Sequence, residues 1–153
     1  MANKVLWQTE SSATLMSTEL NNLANDAFAV DGADYDNATN QFRFADFELF
    51  LDDFDAAPDA GGYFELHLLY KLDGTNYCDG YDGDADADSE LTGATLAGVF
   101  PVTANDADQR VQLLGVQLSP YAFRAAIKNE CGQDLTAVDT HTLKIFPYNE
   151  EVQ

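Results

Sequence analysis

The segment from Leu72 to Leu91, LDGTNYCDGYDGDADADSEL, carries the densest set of residues able to do chemistry. Asp82, Asp84 and Asp86 have the alternate spacing that arranges carboxylates around Ca²⁺ in the first half of an EF-hand loop, and Asp79 and Asp88 flank them. The rest of that pattern fails. Ala87 stands where the tight-turn glycine belongs and Gly93 where the bidentate glutamate belongs. A calcium site of another geometry, built from Asp79, Asp82, Asp84, Asp86 or Asp88, is weighed against a solvated acidic loop. The solvated loop is the simpler reading, and no cofactor is required.

Tyr63, Tyr77 and Tyr81 lie near loop glycines, where flat rings could stack on sugars. The same side chains could cap the end of a core or anchor a subunit contact, since tyrosine joins an apolar body to a polar tip. Hydrolytic chemistry has less support. His67 and His141 are the only histidines, and neither sits in a catalytic context. Asp46 and Glu48 share a strand face, but carboxylate pairs arise by chance in a chain with 27 acids. GxSxG, HExxH, P-loop and GxGxxG patterns are absent, so an enzyme is not expected.

The 153 residues suffice for one domain with its own core, and ten Phe, seven Tyr and one Trp supply apolar area. Seven basic against 27 acidic residues give a net charge of −20. Such a surface repels phosphate backbones and anionic headgroups, so neither nucleic acid nor membrane is an expected partner. Acids spread along the chain suit solubility in salty surroundings; a basic partner steered by the same field is the competing explanation. Cys78 and Cys131 form no CxxC pair and have no zinc-like spacing with histidine, so free thiols are the simpler expectation and a bridge between the two, which spacing does not decide, is the alternative. The opening MANKVLWQTE has no apolar run, so no signal peptide is expected.

These residues must be positioned by strands. Lys4 to Thr9 alternates, with Val5 and Trp7 on one face. Glu19 to Phe28 reads as turn-like backbone or a short helical turn, and Asp31 to Asn40 as a loop. Phe47, Leu49 and Leu51 alternate with Asp46, Glu48 and Asp52; Phe42 and Phe44 fall out of phase, which predicts a bulge near Ala45 or a break in the strand. In YFELHLLYKL, Phe64, Leu66, Leu68, Tyr70 and Leu72 are expected inward, and Glu65, His67, Leu69 and Lys71 outward. Further strands are expected at 95–102, interrupted by Pro101, at 109–118, at 122–129 and at 141–146, the last cut off by Pro147 before an acidic tail. Short strands with turns between them predict an all-β fold: a single antiparallel β-sandwich, jelly-roll-like, spanning residues 1–153 with a long acidic loop and short terminal arms.

In order, ADFELFLDDF, LHLLYKLDGTNY, GVFPV, QRVQLLGVQLSPYAFRAAIKNECGQ and TLKIFPYNEE, preceded by the Tyr35-Asp36-Asn37 loop, resemble a group of small tailed-bacteriophage virion proteins. The similarity covers nearly the whole chain, and its specificity lies in the order of the segments. It departs from the group in Cys78 and in the exaggerated acidity of 79–90. The resemblance implies a virion structural protein, a capsid decoration or cement protein on the capsid exterior, with the major capsid protein and further copies of itself as partners. Its chain ends, with Val5, Trp7 and Tyr148, would be contact arms. A tail- or vertex-associated module binding glycans or receptors is the alternative.

Overall fold

The computed structural model describes residues 5–52, 54–77, 93–137 and 140–152, with the backbone alone for Val5, Glu151 and Val152. The strands are β1 (Val5–Thr9), β2 (Ala13–Met16), β3 (Phe28–Val30), β4 (Phe44–Leu51), β5 (Tyr63–Tyr70), β6 (Thr95–Pro101), β7 (Gln109–Gln117), β8 (Phe123–Glu130) and β9 (Thr142–Val152). One short helix, α1, spans Asn37–Asn40. Strand β2 pairs with β9, β3 with β8, β4 with β7 and β5 with β6, all antiparallel. This nested set of pairs is one long double ribbon. It is rolled up because β4 also pairs with β9 and β5 with β8. The result is two facing antiparallel sheets, ordered β2-β9-β4-β7 and β3-β8-β5-β6, with β1 added beside β2 on β9. This is a β-sandwich of jelly-roll connectivity, in which hairpin partners are shared between two packed sheets.

Period-two patterning places the core. Ala45, Phe47, Leu49 and Leu51 point inward from β4 and meet Phe64, Leu66 and Leu68 of β5, with Phe123, Ala125 and Ile127 of β8. Phe47, Phe64, Phe100 and Phe123 are fully buried. The bulge expected near Ala45 is present, but the extra residue belongs to β7. Leu114 and Gly115 together oppose Asp46, because pairing passes from Ala45–Val116 to Phe47–Leu113. Gly115 adopts φ +71°, and its N–H donates to the Asp46 carboxylate at 2.8 Å.

Several local expectations are corrected. Leu72 was expected inward but is 68% exposed, because β5 ends at Tyr70 and the chain turns through Lys71–Gly74. Leu69 points outward as expected yet is buried, under a second small cluster with Val30 and Ala126 that Tyr77 and Ala94 cover. The strand β2 falls in a stretch with no expectation and β3 begins at the end of the turn-like segment, since three or four residues cannot display a period. Within 31–40, Asp36 caps α1 by accepting from the Thr39 N–H at 3.0 Å.

Pro147 does not end the last strand, which continues to Val152. Strand β2 pairs with 143–145 and β1 with 148–152, so Pro147 sits where one neighbour hands over to the other. Its carbonyl accepts from Glu10 at 3.1 Å on that side. A strand residue's nitrogen and carbonyl point the same way, so the missing N–H faces the gap between β2 and β1 and costs the ladder nothing. Among the described residues no helix is long and apolar enough to cross a membrane.

Candidate functional site

Two surface constellations stand out, one on each sheet. On the outer face of β3-β8-β5-β6, Asp34 gathers cations and a tyrosine. Lys71 Nζ lies 2.5 Å from one carboxylate oxygen and Arg124 Nε 3.0 Å from the other, where the Tyr77 hydroxyl also donates. The Tyr77 ring lies beneath both cations, with centroid distances of 4.5 Å to Lys71 and 5.2 Å to Arg124. Burial pushes the Asp34 carboxyl up. Its bonds to Lys71, Tyr77 and Arg124 outweigh that and hold it below the ordinary carboxylate range.

The cluster ties the root of the acidic loop to the sheet. We expect Asp34→Ala to cost about 1–2 kcal/mol, since the network is only partly shielded from water. Urea unfolding of the variant beside Asp36→Ala, whose carboxylate caps α1 instead, checks this.

Beside it, Asp31 at the end of β3 is nearly buried and accepts the Ala33 N–H at 3.0 Å. Burial raises its carboxyl from 3.8 to about 6; the Ala33 N–H opposes this, Glu19 adds to it, Arg124 opposes it and Asp34 adds to it. The folded state therefore holds a proton that the unfolded chain has released. Asp31 thus favours folding fully only at acid pH, and that contribution declines as pH rises from about 4 to about 6. Asp31→Asn keeps the acceptor for Ala33 and removes the charge. It should stabilise the protein at pH 7 by up to about 3 kcal/mol and lose that advantage as pH falls to about 4. Parallel denaturant titrations at the two pH values read the difference.

The other constellation covers the outer face of β1, β9, β4 and β7. Phe44 and Tyr148 are directly paired and stack at 5.7 Å, and Trp7 meets Tyr148 edge-on at 5.3 Å. Trp7 is 61% exposed, Leu114 67% and Phe146 37%, so an aromatic and aliphatic stripe runs across the sheet into solvent. Phe146 and Tyr148 share the face because they alternate with Ile145 and Pro147 along β9. A groove of about 530 Å³ follows the stripe past Glu10, Asp46 and Glu48. Burial raises the Tyr148 hydroxyl above its ordinary range. The Asp46 carboxylate, which accepts its hydrogen bond, and Glu150 add to that rise. The two chain ends thus form one ribbon, Val5 opposite Val152 and Thr9 opposite Tyr148, rather than two separate arms.

Of the interface candidates, Trp7 and Tyr148 are brought together, and the backbone of Val5 lies in the same ribbon. Sequence reasoning missed Phe44, Phe146 and Leu114. The alternation Lys144, Phe146, Tyr148 was the available signal for Phe146, and Arg110, Gln112, Leu114 that for Leu114. The glycan candidates are not assembled. Tyr63 opens β5 opposite Glu130 and Pro101, whereas Tyr77 lies beyond the other end of that strand, and Tyr81 lies outside the described residues. Asp79, Asp82, Asp84, Asp86, Asp88 and Cys78 also lie outside them. Among the described residues no three His, Cys, Asp or Glu side chains are grouped to hold a metal. Cys131 carries a buried free thiol.

The histidines have structural partners. His141 is fully buried; its Nδ1 accepts the Asp52 N–H at 3.1 Å, and its Nε2 faces the Thr136 carbonyl at 3.3 Å. His67 Nε2 lies 2.9 Å from Glu65 on the other sheet. No protein-family model matches this chain, and no curated protein matches it.

Proposed function

We propose that this protein is a structural component of a tailed-phage virion, a decoration or cement protein that stabilises the capsid exterior by bridging capsid subunits. One observation carries the reading: the ribbon made by the paired chain ends displays Trp7 and Tyr148 with Phe44 and Phe146 on an open sheet face. Exposed aromatics of this kind are the usual anchors of protein contacts. The jelly-roll scaffold, recurrent in capsid and lectin domains, is a supporting analogy of fold alone. The order of the sequence segments points the same way. No catalytic role is part of this reading.

The ribbon would reach one capsid subunit while a second copy of the domain, or the body of the same one, holds its neighbour. Several weak attachments then act together, so the lattice resists separation without large individual contacts. The acidic remainder of the surface would face solvent on the particle.

A tail- or vertex-associated glycan-binding module is the second reading. Favouring it is a groove of about 440 Å³ at the root of the acidic loop, where Tyr70, Asn76, Tyr77 and Gln117 mix ring faces with amide groups. Cosedimentation with capsids assembled without this protein separates the two. Saturable binding at a fixed ratio to the capsid protein supports decoration. No binding to expanded capsids, with retention on a host-glycan array, would replace it with the second reading.

A further inference from the structure

The aromatic face has a charge pattern that narrows its partner. Among the described residues no cation is paired with Glu10, Asp46 or Glu150, which border the stripe at Thr9–Tyr148 and around Phe146. Farther along the sheet Glu48 is already paired with Arg110. A second copy of this chain would bring another −20 charge to the same place. The same sheet also shows how its rings receive guanidinium groups: Arg110 lies 4.5 Å over Phe50, and Arg43 5.5 Å over Phe44. Trp7 and Phe146, both exposed, have no such cation above them among the described contacts.

We propose that this face docks an arginine-bearing segment of a partner protein, with aliphatic residues seated on Leu114 and guanidinium groups placed beside the exposed Phe146 ring in the groove that Glu10 and Asp46 line. Arginine is favoured over lysine because its planar, weakly hydrated head stacks on a ring while bonding two oxygens. The inference rests on the capsid-binding reading only for who supplies the segment; the chemistry of the face stands without it.

Trp7 is the only tryptophan of the chain and lies in the stripe, so its fluorescence reports this face alone. The probes are three short peptides alternating leucine with arginine, lysine or glutamate, titrated into the full-length protein at low and high salt. The arginine peptide should give a saturable change in emission that weakens with salt, with the lysine peptide at least about threefold weaker and the glutamate peptide inactive. Glu10→Gln combined with Asp46→Asn should weaken the arginine peptide roughly five- to tenfold. Glu10→Gln alone, at an exposed position, should give a smaller loss, and Leu72→Ser on the other sheet should change nothing.

No saturable change, equal affinity for the lysine peptide, or unchanged affinity in the double variant would overturn the proposal. So would self-association of the free protein that Tyr148→Ser abolishes, since the face would then serve a second copy. Failure to bind capsids with the peptide result intact would instead count against the capsid reading alone.

Discussion

Asn129→Leu should remove a large share of the stability of this domain. Asn129 is fully buried near the end of β8. Its side-chain amide donates to the Leu23 carbonyl at 3.1 Å and the Gln133 carbonyl at 2.8 Å, and its oxygen accepts the Cys131 N–H at 3.0 Å. These bonds hold the turn before β3 against the turn after β8. Leucine is close in size but orphans the Cys131 N–H and takes one bond from each carbonyl, leaving Leu23 with the Leu135 N–H at 3.0 Å and Gln133 with only the Cys131 thiol at 3.3 Å. The buried orphan costs about 1–3 kcal/mol and each lost bond about 0.5–1.5 kcal/mol, which sets the expected loss at about 2–5 kcal/mol, a large share of what a single domain holds. Asn129→Asp is a useful companion: it keeps the acceptor for Cys131 but turns negative oxygens toward two carbonyls. It should be no better tolerated than leucine. Urea unfolding followed by far-ultraviolet circular dichroism reads both, and a loss below about 1 kcal/mol would refute this account of the turn.

Near the start of β8, Asn37 performs the same task. Its amide donates to Phe42 at 3.0 Å and Ser119 at 2.7 Å, and its oxygen accepts the Phe42 N–H at 2.9 Å. This gives the Tyr35-Asp36-Asn37 run a physical meaning. Tyr35 bridges to Phe123, Asp36 caps α1, and Asn37 stitches the loop to the start of β4 and to the chain beyond β7.

The second large effect is on binding rather than folding. Trp7→Ala with Tyr148→Ala should leave the thermal transition nearly unchanged, because the ribbon lies outside the main core. The same double variant should lose capsid binding by about 2–4 kcal/mol, or roughly thirty- to a thousandfold in affinity, as expected when central aromatic anchors are truncated. Cosedimentation of the variant with decoration-free capsids measures it. Wild-type affinity in a folded variant would move the contact to another face.

Architecture was legible where strands are long. The alternation through Phe47, Leu49 and Leu51 and through Phe64, Leu66 and Leu68 placed β4 and β5 with the correct inward faces. It could not place β2 and β3, whose three or four residues are specified by pairing to β9 and β8. Leu72 misled because period two says nothing of where a strand stops. Pro147 misled because a missing N–H matters only on the side where a partner strand waits. At the surface, the union of the two chain ends into one ribbon is a long-range pairing that no local pattern encodes. The Asp34 cluster was hidden for the same reason: Asp34, Lys71 and Arg124 are far apart in sequence and meet only across the β8–β5 sheet.

The measurement that bears most directly on the central claim is the copy number of this chain in purified virions, by quantitative peptide mass spectrometry against the major capsid protein. Lattice-wide decoration predicts a fixed ratio close to that of the capsid protein. A few copies per particle would place it at the tail or a vertex, and its absence from particles would contradict the virion reading outright.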